Sequence, residues 1–146
     1  MAMPQDSSQE ASPSAGRRIL LVEDDAAFRA LLVRKLRRCR HEVTEAASAE
    51  DALLAVANEP GKSGRASYDV VVSDVRMHGM SGLHLLATLR SHDPSLPIVL
   101  MTAFSDAATH AEASRLGATM LSKPFDLDEL SRVVQHAERG GGARRP

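Results

Sequence analysis

The chain has 146 residues but only one cysteine, no tryptophan, one tyrosine and three phenylalanines. A lone thiol, Cys39, cannot form an intrachain disulfide, so the fold must rest on an apolar core, and a reducing compartment fits. Cys39 itself reads as a small apolar helix residue. The shortage of aromatics leaves little to stack nucleobases, and a formal net charge of −1 gives no global attraction to nucleic acid or to an anionic membrane. No apolar run approaches the length of a membrane-spanning helix. The segment before Ile19 lacks the apolar stretch of a cleaved secretory signal. These absences point to a cytoplasmic protein that binds neither membrane nor nucleic acid.

What is present is the composition of a globular domain, 43% hydrophobic and 25% charged, in a chain long enough to close one core. Residues 1–17, rich in Ser, Ala, Pro and Gln, read as a disordered tail, and 139–146, with a Gly run and two arginines, as a flexible one. From 18 to 138, strand-like and helix-like segments alternate. Strands are expected at 18–22, 42–46, 68–73, 98–102 and 119–122, the third being apolar throughout its centre, as in a strand covered on both faces. Helices are expected at 25–39, 48–58, 82–91, 106–116 and from Asp126 on. Phe28, Leu31, Leu32, Leu36 and Cys39 form the apolar stripe of the first. Ser48 with Asp51, and Asp126 with Glu129, have helix-start spacing. Residues 59–67, with Pro60, Gly61 and Gly64, make an unusually long loop. The pattern is α/β, a (βα)5 chain that builds a doubly wound parallel five-stranded sheet with helices on both faces.

Polar residues recur just past the strands: Glu23 and Asp24 after Ile19–Val22, Asp74 after Val70–Ser73, and Lys123-Pro124 after the last strand. In a parallel sheet the carboxyl ends of the strands share one edge, where ligand sites gather. Clustered carboxylates repel one another, and a hard divalent cation such as Mg²⁺ both relieves the repulsion and binds a phosphoryl group. The constellation reads as a phosphoryl-transfer site. Gly61-Lys62-Ser63 is no P-loop, because position 56, where that motif needs glycine, is Val. The six histidines show no paired metal spacing and read as solvated surface positions. The basic residues of the first helix, Arg29, Arg34, Lys35, Arg37 and Arg38, with Arg40 after it, read first as a solvated face and second as a kinase-docking face.

Four pieces in order resemble the receiver domain of bacterial two-component response regulators: Ile-Leu-Leu-Val-Glu23-Asp24-Asp25, Asp74-Val-Arg76-Met77 with Gly79-Met80-Ser-Gly82, Met101-Thr102-Ala103, and Lys123-Pro124-Phe125. The second piece is most similar to receivers of the nitrogen-regulation activator type. The resemblance covers 18–138 and implies a flavodoxin-like sheet of strand order 2-1-3-4-5. It implies that Asp74 is the phospho-acceptor, a carboxylate nucleophile forming an acyl phosphate. Asp24 and Asp74 are then Mg²⁺ ligands with the backbone carbonyl of Arg76, and Glu23 acts through water. Lys123, the Thr102 hydroxyl and the Ala103 N–H meet the phosphoryl oxygens, with Pro124 after a cis peptide. The partners implied are a sensor histidine kinase or histidine phosphotransfer protein and a downstream protein reached through the helix 4, strand 5, helix 5 face, with homodimerisation left open.

In two places the chain departs from the family pattern. His78 stands where proline is usual, which leaves the turn after Asp74 less rigid. Met120 stands where a Tyr or Phe usually swings inward, in a stretch, 117–123, that is one residue short; a flexible methionine can fill the same space. The expected function is therefore a single-domain response regulator, no enzyme beyond its own phosphorylation and dephosphorylation. Two alternatives are weighed. A Mg²⁺-dependent aspartyl-phosphate hydrolase of the haloacid dehalogenase type would carry Asp or Thr where Arg76 stands. A binding-only pseudo-receiver would have lost Asp74 or Lys123, and both are present. Arg76 and Phe104 are expected to flank the path of water to the acyl phosphate.

Overall fold

The computed structural model describes residues 16–58, 68–103 and 107–139. The tails before 16 and after 139, the loop expected at 59–67 with its Gly-Lys-Ser, and Phe104 lie outside them. Five strands alternate with five helices: β1 (Arg18–Val22), α1 (Ala26–Arg38), β2 (Glu42–Ala46), α2 (Ala49–Asn58), β3 (Val70–Asp74), α3 (Gly82–His92), β4 (Ile98–Thr102), α4 (Ala107–Arg115), β5 (Thr119–Ser122) and α5 (Leu127–His136). All pair in parallel, in the order β2-β1-β3-β4-β5. This is the expected (βα)5 sheet.

Alternation along each strand sorts the core into two layers. Leu20, Val22, Val71 and Leu100 face α2, α3 and α4, where Leu85, Leu86 and Leu89 meet them. Ile19, Leu21, Val70, Val72, Val99 and Met101 face α1 and α5, against Leu32, Leu36, Leu130 and Val134. β3 and β4 are buried from end to end, as central strands covered on both faces are, with apolar runs Val70–Val72 and Ile98–Met101 leading to the buried polar ends Ser73, Asp74 and Thr102.

Helix starts follow capping chemistry. The side chains of Asp25, Ser81 and Asp126 accept the N–H of Phe28, His84 and Glu129, and Ser48 Oγ accepts the Asp51 N–H at 3.0 Å. Three expectations needed correcting. Leu31 is not part of the buried stripe of α1; it is 46% exposed, and Val33 packs inward instead. The histidines are not uniformly solvated, since His41 is 4% exposed and accepts the Arg17 N–H on Nδ1. The third strand begins two residues later than expected and takes in Asp74 as its last residue.

Candidate functional site at the carboxyl edge of the sheet

The register brings the strand-end residues together. Val22 pairs with Ser73, and Asp74 with Met101, so Glu23 just past β1 and the last residues Asp74 of β3 and Thr102 of β4 stand close to one level. Thr102 pairs with Ser122, which sets Lys123 one residue further on, its N–H donating to the Thr102 carbonyl at 2.7 Å. The Lys123–Pro124 peptide is cis, as expected from the motif.

Asp74 is buried, at 6% exposure, and both its oxygens are engaged. Oδ1 accepts the Arg76 backbone N–H at 3.0 Å, and Oδ2 accepts from Lys123 Nζ at 2.5 Å. The ammonium also lies 5.0 Å from the centroid of the Phe28 ring, which in turn packs tilted on Phe125. Phe28 thus does more than fill a helix stripe: its π face helps hold the lysine over the pocket. The signal was available, since a residue one turn into the helix after β1 must overhang this edge.

Glu23 is 2% exposed. Its Oε2 accepts the Asp25 N–H at 3.0 Å, while Oε1 is buried with no hydrogen-bond partner. Burial above all, and then the neighbouring Asp74 carboxylate, raise its carboxyl to about 7 against the lowering by the Asp25 N–H and by Lys123. Asp24 goes the other way. Its Oδ2 accepts the His78 N–H at 3.0 Å and lies 2.8 Å from His78 Nδ1, and the backbone bond leads in holding its pKa below the usual range. The electrostatic strain of the cluster falls on Glu23.

Gly82 is fixed by sterics. A Cβ there would stand 2.2 Å from the Asp74 carbonyl oxygen, so only glycine lets α3 start directly against the end of β3. The loop between them is tied at both sides, by His78 to Asp24 and by the Met80 N–H to Glu50 Oε2 at 3.3 Å, with Gly79 at φ +78° in the turn. Those ties do the work that proline would do at position 78. Met120 is half-buried and packs into the α2, α3, α4 layer, where the pattern places an aromatic ring.

Among the described residues no three His, Cys, Asp or Glu side chains are arranged to hold a metal as they stand, Asp24 being turned to His78. The donor set nonetheless fits Mg²⁺. It is all oxygen, carboxylates and a backbone carbonyl, and the unpartnered Glu23 Oε1 is a buried acceptor that a cation or its water would satisfy.

Comparison with known proteins agrees with this geometry. The family model of the response regulator receiver domain matches residues 19–135. The chain is 41% identical to the response regulator protein FleR of Pseudomonas aeruginosa over 82% of its own length and 24% of that protein's. It is 36% identical to the DNA-binding transcriptional regulator NtrC of Salmonella typhimurium, again over 82% of its length and 24% of the relative's. It therefore spans about a quarter of the length of these curated relatives. Among solved structures, the chemotaxis protein CheY4 of Vibrio cholerae superposes with a TM-score of 0.74 at 28% identity, covering 84% of this chain and 99% of that one. The receiver domain of HemR from Leptospira biflexa gives 0.71 at 30% identity, over 81% and 94%. A parallel sheet in receiver order, an acid cluster facing one lysine at its carboxyl edge and a family match across nearly all the described residues converge: the chain belongs to the response regulator receiver domain family.

Proposed function

We propose that this chain is the phospho-accepting receiver of a two-component pair, with Asp74 as its acceptor. The observation that carries the reading is the buried Asp74 carboxylate, held at one oxygen by Lys123 Nζ and at the other by the Arg76 N–H, beside the strained Glu23. A carboxylate positioned on both oxygens meets the main demand of in-line phosphoryl transfer, which is placement and charge neutralisation. An Asp74 oxygen attacks phosphorus of a phosphohistidine on a sensor kinase or histidine phosphotransfer protein. The P–N bond breaks, the imidazole leaves with the electron pair, and an acyl phosphate remains on Asp74. Lys123 moves from the carboxylate to a phosphoryl oxygen, and the Thr102 hydroxyl and Ala103 N–H donate to others. Asp24, Asp74 and the Arg76 carbonyl would hold Mg²⁺, with Glu23 reaching it through water; when bound, that ion neutralises the equatorial oxygens.

Under this reading the folded unit runs 18–138 with a tail on each side, works in the cytoplasm, and signals through protein contacts of α4, β5 and α5 rather than by turning over a substrate. Among the described residues no helix is long and apolar enough to cross a membrane. The test is labelling by a small phosphodonor and by a phosphorylated kinase, with and without chelator, alongside a phosphatase assay. Wild type should take up label only with Mg²⁺, and Asp74→Asn should take up none. Full labelling of the variant, or turnover of phosphate esters, would overturn the reading.

A further inference from the structure

A groove of about 470 Å³ runs between α1 and the edge strand β2, lined by Ala30, Val33, Arg34, Arg37, Arg38 and Glu45. It starts at Ala30, one turn or about 6 Å into α1, and runs away from the acid pocket to Arg38. Helix α1 has no acidic residue at all, so its cations must find partners elsewhere. Glu45 is the only carboxylate in the groove and is already shared: it meets Arg29 at 3.1 Å and Arg37 at 3.8 Å. Arg37 also donates to the Val43 carbonyl at 3.0 Å. The side chains of Arg34 and Arg38 make neither a hydrogen bond nor an ion pair with the described residues, and the two face the same way one helical turn apart. Arg40, just beyond, holds an exposed basic side chain at φ +74°, where glycine would be unstrained.

We propose that this groove is a second protein-binding site, taking an acidic polypeptide segment in extended conformation. The charge complement is direct, because guanidinium forks pair with carboxylates and the groove has cations in excess. Spacing selects the conformation. Four residues of helix advance about 6 Å, and alternate residues of an extended chain advance about 6.6 Å, so carboxylates at every second position meet Arg34 and Arg38 in turn. The exposed Ala30, with Leu31 46% exposed one turn before Arg34, gives a side chain of the segment somewhere to anchor, while Val33 floors the groove from the core. That apolar component favours a peptide over nucleic acid, which would want aromatic stacking partners the groove lacks.

Fluorescence anisotropy tests it, using the full chain and a labelled peptide that alternates Glu and Ser and carries one terminal Leu. Binding should be present at low salt and fall as salt rises. The Gln-for-Glu version of the peptide should not bind. Arg34→Gln with Arg38→Gln should weaken binding about tenfold, and Arg132→Gln on α5 should change it by less than about twofold. Amide shifts of the wild-type chain on titration should fall on α1 from Ala30 to Arg38 and on Glu45, a readout that does not depend on any variant folding. Absence of binding at low salt, equal loss in both variants, or shifts centred elsewhere would overturn the proposal. Tighter binding of a single-stranded oligonucleotide, lost in the same double variant, would overturn it in favour of a nucleic-acid site.

Discussion

At the amino edge of the sheet two guanidiniums are enclosed by acceptors, whereas at the carboxyl edge the Glu23 and Asp74 carboxylates have a single ammonium, Lys123, between them. Arg90, at the end of α3, donates to the carbonyls of Leu96 at 2.6 Å, Leu116 at 2.8 Å and Pro94 at 3.0 Å, tying the approaches to β4 and β5 to one side chain. Arg139 donates to Asp93 Oδ2 at 2.7 Å, to Ser95 Oγ at 3.0 Å and to the Tyr68 carbonyl at 3.1 Å, and the Arg17 guanidinium reaches the Ala137 carbonyl. Every polar group named there has a partner. The carboxyl edge keeps Glu23 Oε1 unpartnered and Glu23 raised. His41 Nε2, just before β2, is also buried without a partner, so the contrast is one of charge: guanidinium clamps tie the amino edge together, and the clustered carboxylates at the other edge suit the proposed cation and phosphoryl group.

The comparison makes opposite predictions for charge removal at the two edges. The largest effect is expected from Arg90→Ala, which strips several partly buried carbonyls of their donor and should cost about 3–4 kcal/mol in urea denaturation. Arg90→Lys should recover less than half, since one ammonium cannot span the fork of acceptors. A loss below about 1 kcal/mol for the alanine variant would mean that water replaces the guanidinium and that the amino edge is not held as described.

Next comes Arg139→Gln, at about 2–3 kcal/mol, because it leaves Asp93, 7% exposed, without its cation. Burial pushes the Asp93 carboxyl up, but the bond and charge of Arg139, with the Ser95 N–H and hydroxyl, outweigh it and hold the pKa below 3.8. A depressed folded pKa gives stability that is present above the unfolded value and is lost as pH falls through the folded one. In the variant burial prevails, so the gap between the two proteins should narrow as pH falls below 3.8. A gap independent of pH would assign the effect to packing.

At the carboxyl edge the sign reverses. In chelator at about pH 8, Glu23→Gln should gain about 1 kcal/mol by removing a buried charge beside Asp74, and should lose much of the stabilisation that Mg²⁺ gives the wild type. Asp24→Asn should show no such gain, because Asp24 is already stabilised by His78. Equal gains in both would mean that the repulsion is shared across the cluster. The smallest effect is a pattern of shifts. On binding a phosphoryl mimic, amides in α4 (Ala107–Arg115) and at Met120 should move along with those around Asp74 and Lys123 if Met120 fills space that Thr102 vacates. Shifts confined to the pocket loops would place the readout elsewhere.

The strand and helix pattern, the two-layer core and the residues gathered at the carboxyl edge were all legible in the sequence, because each follows from local periodicity and from the rule that parallel strands end together. Strand β5 starts and stops where its residues say, and Ser48 and Asp126 open their helices for reasons three residues long. Which apolar residue of α1 turns inward, Leu31 or Val33, was decided only by where α5 and the sheet lie against it. So were the pairing of Asp24 with His78, the overhang of Phe28 on Lys123, and the passing of the cluster's strain to Glu23. The clamps of Arg90 and Arg139 left no trace in the sequence. Arg90 is held by backbone carbonyls that every residue possesses, and Arg139 meets Asp93 across 46 positions of chain, so no residue type or spacing marks either clamp, and only the closed sheet brings donors and acceptors within reach.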